Sequence, residues 1–141
     1  DHEWEYFHDQ TGYNYRMPNL NAALGCAQLD QMPSFLERKR ALAARYQEAF
    51  AGVDGVSFFT EREDTRSNYW LNVLLLDEKV ADRRDAVLEA TNEADLMTRP
   101  TWQLLSSLPM YEDCPRMDLS TAESLERRLI NIPSTATLND D

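Results

Sequence analysis

Leu20, Leu24, Ala27 and Gln31 recur at helical spacing through residues 19–32, with Ala22, Ala23, Gly25 and Cys26 beside them. The pattern predicts a helix opening at Pro18, whose missing N–H costs nothing in a first turn. Gly25 inside that helix costs about 1 kcal/mol relative to alanine. Small residues here point to a second helix or chain packing closely, or equally to a core helix with no such partner. Pro33 predicts a restart, with Ser34 as a cap. Phe35, Leu42, Tyr46 and Phe50 then form the stripe of a second helix. Lys39 falls on its apolar side, where the stem packs and the ammonium reaches water. Gly52 and Gly55 end the helix.

The pattern then changes period. Residues 56–60 read as a short strand, and residues 61–67 as a charged turn in which Glu61, Glu63 and Asp64 face solvent. Residues 68–76 carry the strongest strand signal: Tyr69, Leu71, Val73 and Leu75 alternate with Trp70, Leu74 and Leu76. Apolar residues on both faces imply a central or doubly covered strand. Residues 80–94 return to helix, with Val87, Leu88 and Thr91 inward and Asp82 and Asp85 near its positive end. Residues 95–98 read as another strand. Arg99-Pro100 ends regular structure, because a residue before proline avoids the helical region. Residues 102–115 form a loop. Ser120 and Glu123 make a capping-box pair for a last helix to Leu129, stopped by Asn131-Ile132-Pro133. The alternation predicts one α+β domain, a small antiparallel or mixed sheet packed with helices. Residues 1–17 are a lead-in segment, and residues 18–141 the domain.

Composition narrows the function. The 141 residues are 43% hydrophobic, enough for one core, and carry a net charge of −11. That charge argues against nucleic acid, which is bound through a basic footprint, and against an anionic membrane surface. The longest apolar stretch, residues 70–76, is far shorter than the roughly 20 residues that span a bilayer. The first residues lack the basic start and apolar run of a secretory leader. Cys26 and Cys114 stand alone, outside any metal-ligand spacing; two isolated thiols predict a reducing, cytoplasmic setting, with a single disulfide as the alternative. The abrupt opening predicts a chain that begins inside a longer protein.

Catalytic constellations are scarce. No nucleophile turn of the GxSxG type, no phosphate-binding glycine loop and no helical histidine pair is present. His2, His8 and Asp9 lack metal-ligand spacing, so no metal is expected. Two segments stand out. Gly12-Tyr13-Asn14-Tyr15-Arg16-Met17-Pro18-Asn19 places amide donors, phenols and a guanidinium at a helix N-terminus, a location that favours anions such as phosphate. An ordered loop with stacked tyrosines accounts for the same residues. Arg99-Pro100-Thr101-Trp102, continuing through Ser106 and Ser107, presents an indole and hydroxyls suited to a sugar, or pins a loop on a buried tryptophan.

Taken in order, the string GYNYRMPNLNAALGCAQLDQMPSFLERKRALAARY, then RPTW, LPMY, CP and LERRLINIPSTA, resembles the C-terminal portion of the DegT/DnrJ/EryC1/StrS sugar aminotransferases. These are fold type I enzymes that use pyridoxal phosphate (PLP) to aminate nucleotide-linked keto-sugars. The wording is most similar to the subgroup acting on UDP-linked 4-keto amino sugars, as in legionaminic acid and bacillosamine pathways. The resemblance implies the small C-terminal domain of a homodimer with an amino-acid amino donor. It implies that Asn14 reaches the PLP phosphate of the neighbouring subunit. Tyr13, Tyr15 and Arg16 then contact the sugar nucleotide, and Arg99 and Trp102 line the sugar end. Many relatives carry a histidine shortly after that tryptophan, where this chain has Ser106 and Ser107.

Transamination also needs a lysine that forms a Schiff base with PLP. The chain has only Lys39 and Lys79, in a charged helix and an exposed turn. In the family the lysine lies upstream of the GYNYRM string. No catalytic residue is therefore expected here, and the chain by itself is expected to be inactive. A contrasting reading is a free-standing acidic α+β module whose small-residue helix docks a partner protein. An enzyme complete within these residues is disfavoured by the missing nucleophile and base.

Overall fold

A computed structural model describes residues 9–137. His2 and His8 lie outside the described residues. The long helix α1 (Asn19–Ala49) is followed by strands β1 (Val56–Phe58) and β2 (Asn72–Leu76), a 3-10 segment (Glu78–Arg83) and α2 (Arg84–Glu93). Then come β3 (Arg99–Pro100), two 3-10 turns (Leu105–Ser107 and Pro109–Tyr111), α3 (Ser120–Glu126) and β4 (Leu129–Ile132).

The four strands form one antiparallel sheet in the order β1-β2-β4-β3. Asn72 pairs with Ile132 and Leu74 with Ile130, so β2 and β4 lie at the centre. Their alternation puts Asn72, Leu74, Leu76, Ile130 and Ile132 inward. Ala43 of α1, Phe58 of β1 and Leu88 of α2 complete this core, with Tyr46, Phe50, Tyr69 and Val87 packed against it. Asn72 is the polar exception: it is buried, and its side-chain amide has no hydrogen-bond partner.

Several expectations are corrected. The two helices divided at Pro33 are one 31-residue helix that runs through the proline. Pro33 removes the amide that would serve the Leu29 carbonyl, but this part of α1 is exposed and water can take that role. The strand expected over residues 68–76 begins only at Asn72, and the one over residues 56–60 ends at Phe58. Residues 95–98 are not a strand: Asp95 turns the chain with φ 59°, and the strand is Arg99–Pro100 itself. Proline is tolerated there because β3 is an edge strand. The last helix stops at Glu126, and residues expected to end it form the central β4. Ser120 is the first helical residue, not the cap; its amide and hydroxyl both donate to the Asp118 carboxylate, which holds that carboxyl below its usual range.

Lys39 does not reach freely into water. Its ammonium donates to the carbonyl oxygens of Trp70 and Ser134, and partial burial lowers its pKa. Together with Tyr46, whose hydroxyl donates to the Pro133 carbonyl at 3.1 Å, it ties the segment after β4 to α1.

Glu61 is not a solvated turn residue either. The Arg40 guanidinium donates to both of its carboxylate oxygens, at 2.5 and 3.1 Å, and to the Ser67 carbonyl. The Ser67 amide donates to Glu61 Oε2. These bonds, the one from Arg40 foremost, hold the Glu61 pKa down to about 2 from 4.5. A carboxyl depressed on folding stabilises the fold above its unfolded pKa, and that stabilisation disappears as pH falls through the folded value. The thermal midpoint is thus expected to fall between pH 4.5 and 2, and Glu61→Gln to flatten that part of the profile. A variant profile with the wild-type slope would place the acid sensitivity elsewhere.

Candidate functional site

The site forms where β3, the loop after it and the start of β2 meet. Just before β2 the backbone leaves the extended region: Tyr69 has φ 45°, an unusual conformation for an aromatic residue that costs on the order of 1–3 kcal/mol. Its surroundings hold it there. The Tyr69 amide donates to Ser67 Oγ and the Trp70 amide to Asn68 Oδ1, both at 2.9 Å. The Tyr69 ring packs on Phe58, and the Arg40 guanidinium lies 5.5 Å from its centre. Trp70 is left 66% exposed and stacks on Trp102 with ring centres 6.0 Å apart.

The two indoles wall a cavity of about 360 Å³, also lined by Arg99, Arg84, Glu126 and Asn131. Edge pairing places Arg99 opposite Asn131, whose Nδ2 donates to the Pro100 carbonyl at 3.0 Å. Glu126, at the end of α3, accepts the Leu104 amide at 3.0 Å and so holds the loop that carries Trp102. The Glu126 carbonyl in turn accepts from Arg84 Nη1 at 3.0 Å. Strand, loop and two helices are braced around one opening. Apolar ring faces beside charges of both signs and amides suit a small polar ligand with some apolar surface.

Arg99 and Trp102, paired from sequence alone, thus share this cavity. Trp102 is half exposed rather than the buried pin of the alternative reading. The other four candidates are elsewhere. Tyr13, Asn14, Tyr15 and Arg16 lie in an exposed, irregular segment before α1, with the Tyr13 and Tyr15 rings stacked at 6.2 Å. None of the four lines this cavity. Their link to it is indirect: Gly12 and Thr11 border a second cavity of about 410 Å³ whose wall is shared with Trp102. Pro18 is the residue before the helix, not its first turn. Ser106 and Ser107 sit in a 3-10 turn off the Trp70–Trp102 cavity.

Sequence reasoning missed Trp70, Glu126 and Asn131. For Trp70 a signal was present: Ser67-Asn68 are turn residues whose side chains bind nearby amides, and they interrupt a strand. For Glu126 and Asn131 there was none, because each became a site residue only through pairing across the sheet and loop. Cys26 and Cys114 are exposed free thiols. Among the described residues no group of His, Cys, Asp or Glu could hold a metal ion, and no helix is long and apolar enough to cross a membrane.

The profile of the DegT/DnrJ/EryC1/StrS aminotransferase family matches residues 1–141. The chain belongs to this family. A GDP-perosamine synthase of Vibrio cholerae is 35% identical over 96% of this chain and 37% of its own length. The putative pyridoxal phosphate-dependent aminotransferase EpsN of Bacillus subtilis is 31% identical, over 96% of this chain and 36% of its own length. The crystal structure of DesI in the presence of its TDP-sugar product superposes with a TM-score of 0.80 at 27% identity, covering 89% of this chain and 32% of DesI. The chain therefore spans about a third of the length of these relatives. The α+β fold is that of sugar aminotransferases of fold type I.

The family is PLP-dependent. Holding that cofactor covalently takes a free amine facing its aldehyde. Lys39 Nζ is engaged by two backbone carbonyls, and neither Lys39 nor Lys79 lines either cavity. Among the described residues, no lysine faces either of these cavities.

Proposed function

We propose that the chain is the C-terminal portion of a PLP-dependent aminotransferase that transfers an amino group from an amino acid to a nucleotide-linked keto-sugar. Residues 18–141 are its small domain, and residues 1–17 lead in from the part that bonds the cofactor. The observation that supports this best is the convergence of Arg99 and Trp102 on one cavity that no lysine of this chain reaches. Arg99 and Trp102 contact the sugar. Asn14 donates to the PLP phosphate of the neighbouring subunit, and Tyr13, Tyr15 and Arg16 contact the sugar nucleotide. By itself the chain does not turn over. Relatives named for GDP- and TDP-sugars support a nucleotide-linked substrate.

The reading also assigns the open half of α1. Leu20, Leu24 and Leu29 are between 59% and 80% exposed, and, apart from the neighbouring helix backbone, no described residue lies within 4 Å of a Cβ built on Gly25. A second copy in a homodimer covers this face, and small residues there let helices approach closely.

Borohydride reduction of the PLP-loaded full-length protein, followed by peptide mapping, tests the proposal. The phosphopyridoxyl label is expected on a lysine outside these 141 residues, with Lys39 and Lys79 unmodified. Stoichiometric label on either of them would overturn it.

A further inference from the structure

We infer that Trp70 is a substrate-contact residue: with Trp102 it forms an aromatic wall that takes the apolar face of a pyranose ring. The inference rests on the reading of Arg99 and Trp102 as sugar contacts and extends it to a side chain with no assigned role. Strand parity carries the first part of the argument. Asn72, Leu74 and Leu76 face the core, so a β2 extended regularly backward would turn Trp70 inward and Tyr69 outward. The chain does not extend that way: it bends at residues 70–71, just before Asn72, and Tyr69 has a φ of 45°. Tyr69 enters the core against Phe58, and the larger, more apolar indole is sent to the surface.

Burying the tryptophan would be the ordinary outcome for stability, and the chain instead leaves it 66% exposed beside a strained residue. The bracing is redundant: Ser67 Oγ, Asn68 Oδ1, the Arg40 guanidinium and the Lys39 ammonium, which donates to the Trp70 carbonyl, all fix this turn. Backbone strain that its surroundings over-determine is found at functional sites.

Beside this turn stands a second indole at the cavity. With the rings already stacked, no slot remains between them for a nucleobase, so the outer ring faces along the cavity are what a ligand meets. Glu126, Gln103 and Asn131 lie on the same lining. Carboxylate and amide groups offer both acceptors and donors, as hydroxyls require. An apolar plane beside mixed acceptors and donors matches a sugar ring, with its C–H face and its hydroxyl edge.

The test uses the full-length enzyme with Trp70→Ala and Trp70→Phe, each first checked for an unchanged thermal midpoint. Trp70→Ala is expected to raise KM for the nucleotide-linked keto-sugar roughly fivefold to tenfold. PLP retention and the half-reaction with the amino donor should stay at wild-type values, and Trp70→Phe should restore most of the affinity. The matching free nucleoside diphosphate, as a competitive inhibitor, should bind wild type and Trp70→Ala equally. An unchanged KM in Trp70→Ala would overturn the contact. Equal weakening of the free nucleotide would assign the wall to the nucleobase and overturn the pyranose reading. If wild type accepts no nucleotide-linked keto-sugar at all, the underlying proposal has failed, and that result is seen before any variant is made.

Discussion

Ile130→Ala is expected to destabilise the fold by about 2–5 kcal/mol, a large share of the roughly 5–15 kcal/mol that holds a domain together. Ile130 has no exposed surface, and it pairs with Leu74 on one side and Pro100 on the other. Truncation removes apolar contacts at the centre of the sheet and leaves a cavity between two strands that cannot close without breaking pairing. The loss should appear in urea unfolding as a lower midpoint with an unchanged slope. Ile130→Val, which keeps most of the volume, should cost only about 0.5–1.5 kcal/mol. A loss below that range for the alanine variant would mean that β4 is not the central strand. Because Arg99 and Asn131 meet across the β3–β4 pair, the same variant should also disturb the cavity.

The second large effect concerns the cofactor. In the full-length protein Asn14→Ala is expected to weaken PLP retention by about 1–3 kcal/mol, the loss when a charged phosphate oxygen is deprived of a buried amide donor. Asn14 is exposed in this chain, outside every helix and strand, so its truncation should leave this chain's stability unchanged. Loss of cofactor with no loss of stability is therefore the expected signature of Asn14 as a phosphate ligand rather than a support of the fold. Release of PLP on dialysis, followed by its absorbance, reads the effect directly. Retention equal to wild type would remove Asn14 from the phosphate site.

How much of this was legible beforehand differs from element to element. Helix α2 could be read because Val87, Leu88 and Thr91 repeat at helical spacing on an element that buries one face. The core of β2 was legible in the same way. Strand β4 was not: four residues ending before a proline carry too few periods to separate a strand from a fraying helix end, and pairing with β2 decided the matter. Pro33 misled because local chemistry ends a helix at proline, whereas packing of Ala43, Tyr46 and Phe50 anchors α1 well beyond it. At the site, Arg99 and Trp102 could be singled out together because they are neighbours in sequence. Glu126 and Asn131 could not, since the chain returns to the cavity only at the end of α3 and in β4.

The amino-acid order by itself determined the class of fold and the family signature from Gly12 onward, because both depend on residue types and short-range spacing. The tertiary structure decided that Tyr69 goes inward and Trp70 outward, that Lys39 is tied to two carbonyls, and that Arg99, Trp102, Glu126 and Asn131 share one cavity. Those outcomes arise from strand pairing and from competition for a single core, and both join residues that lie far apart along the chain.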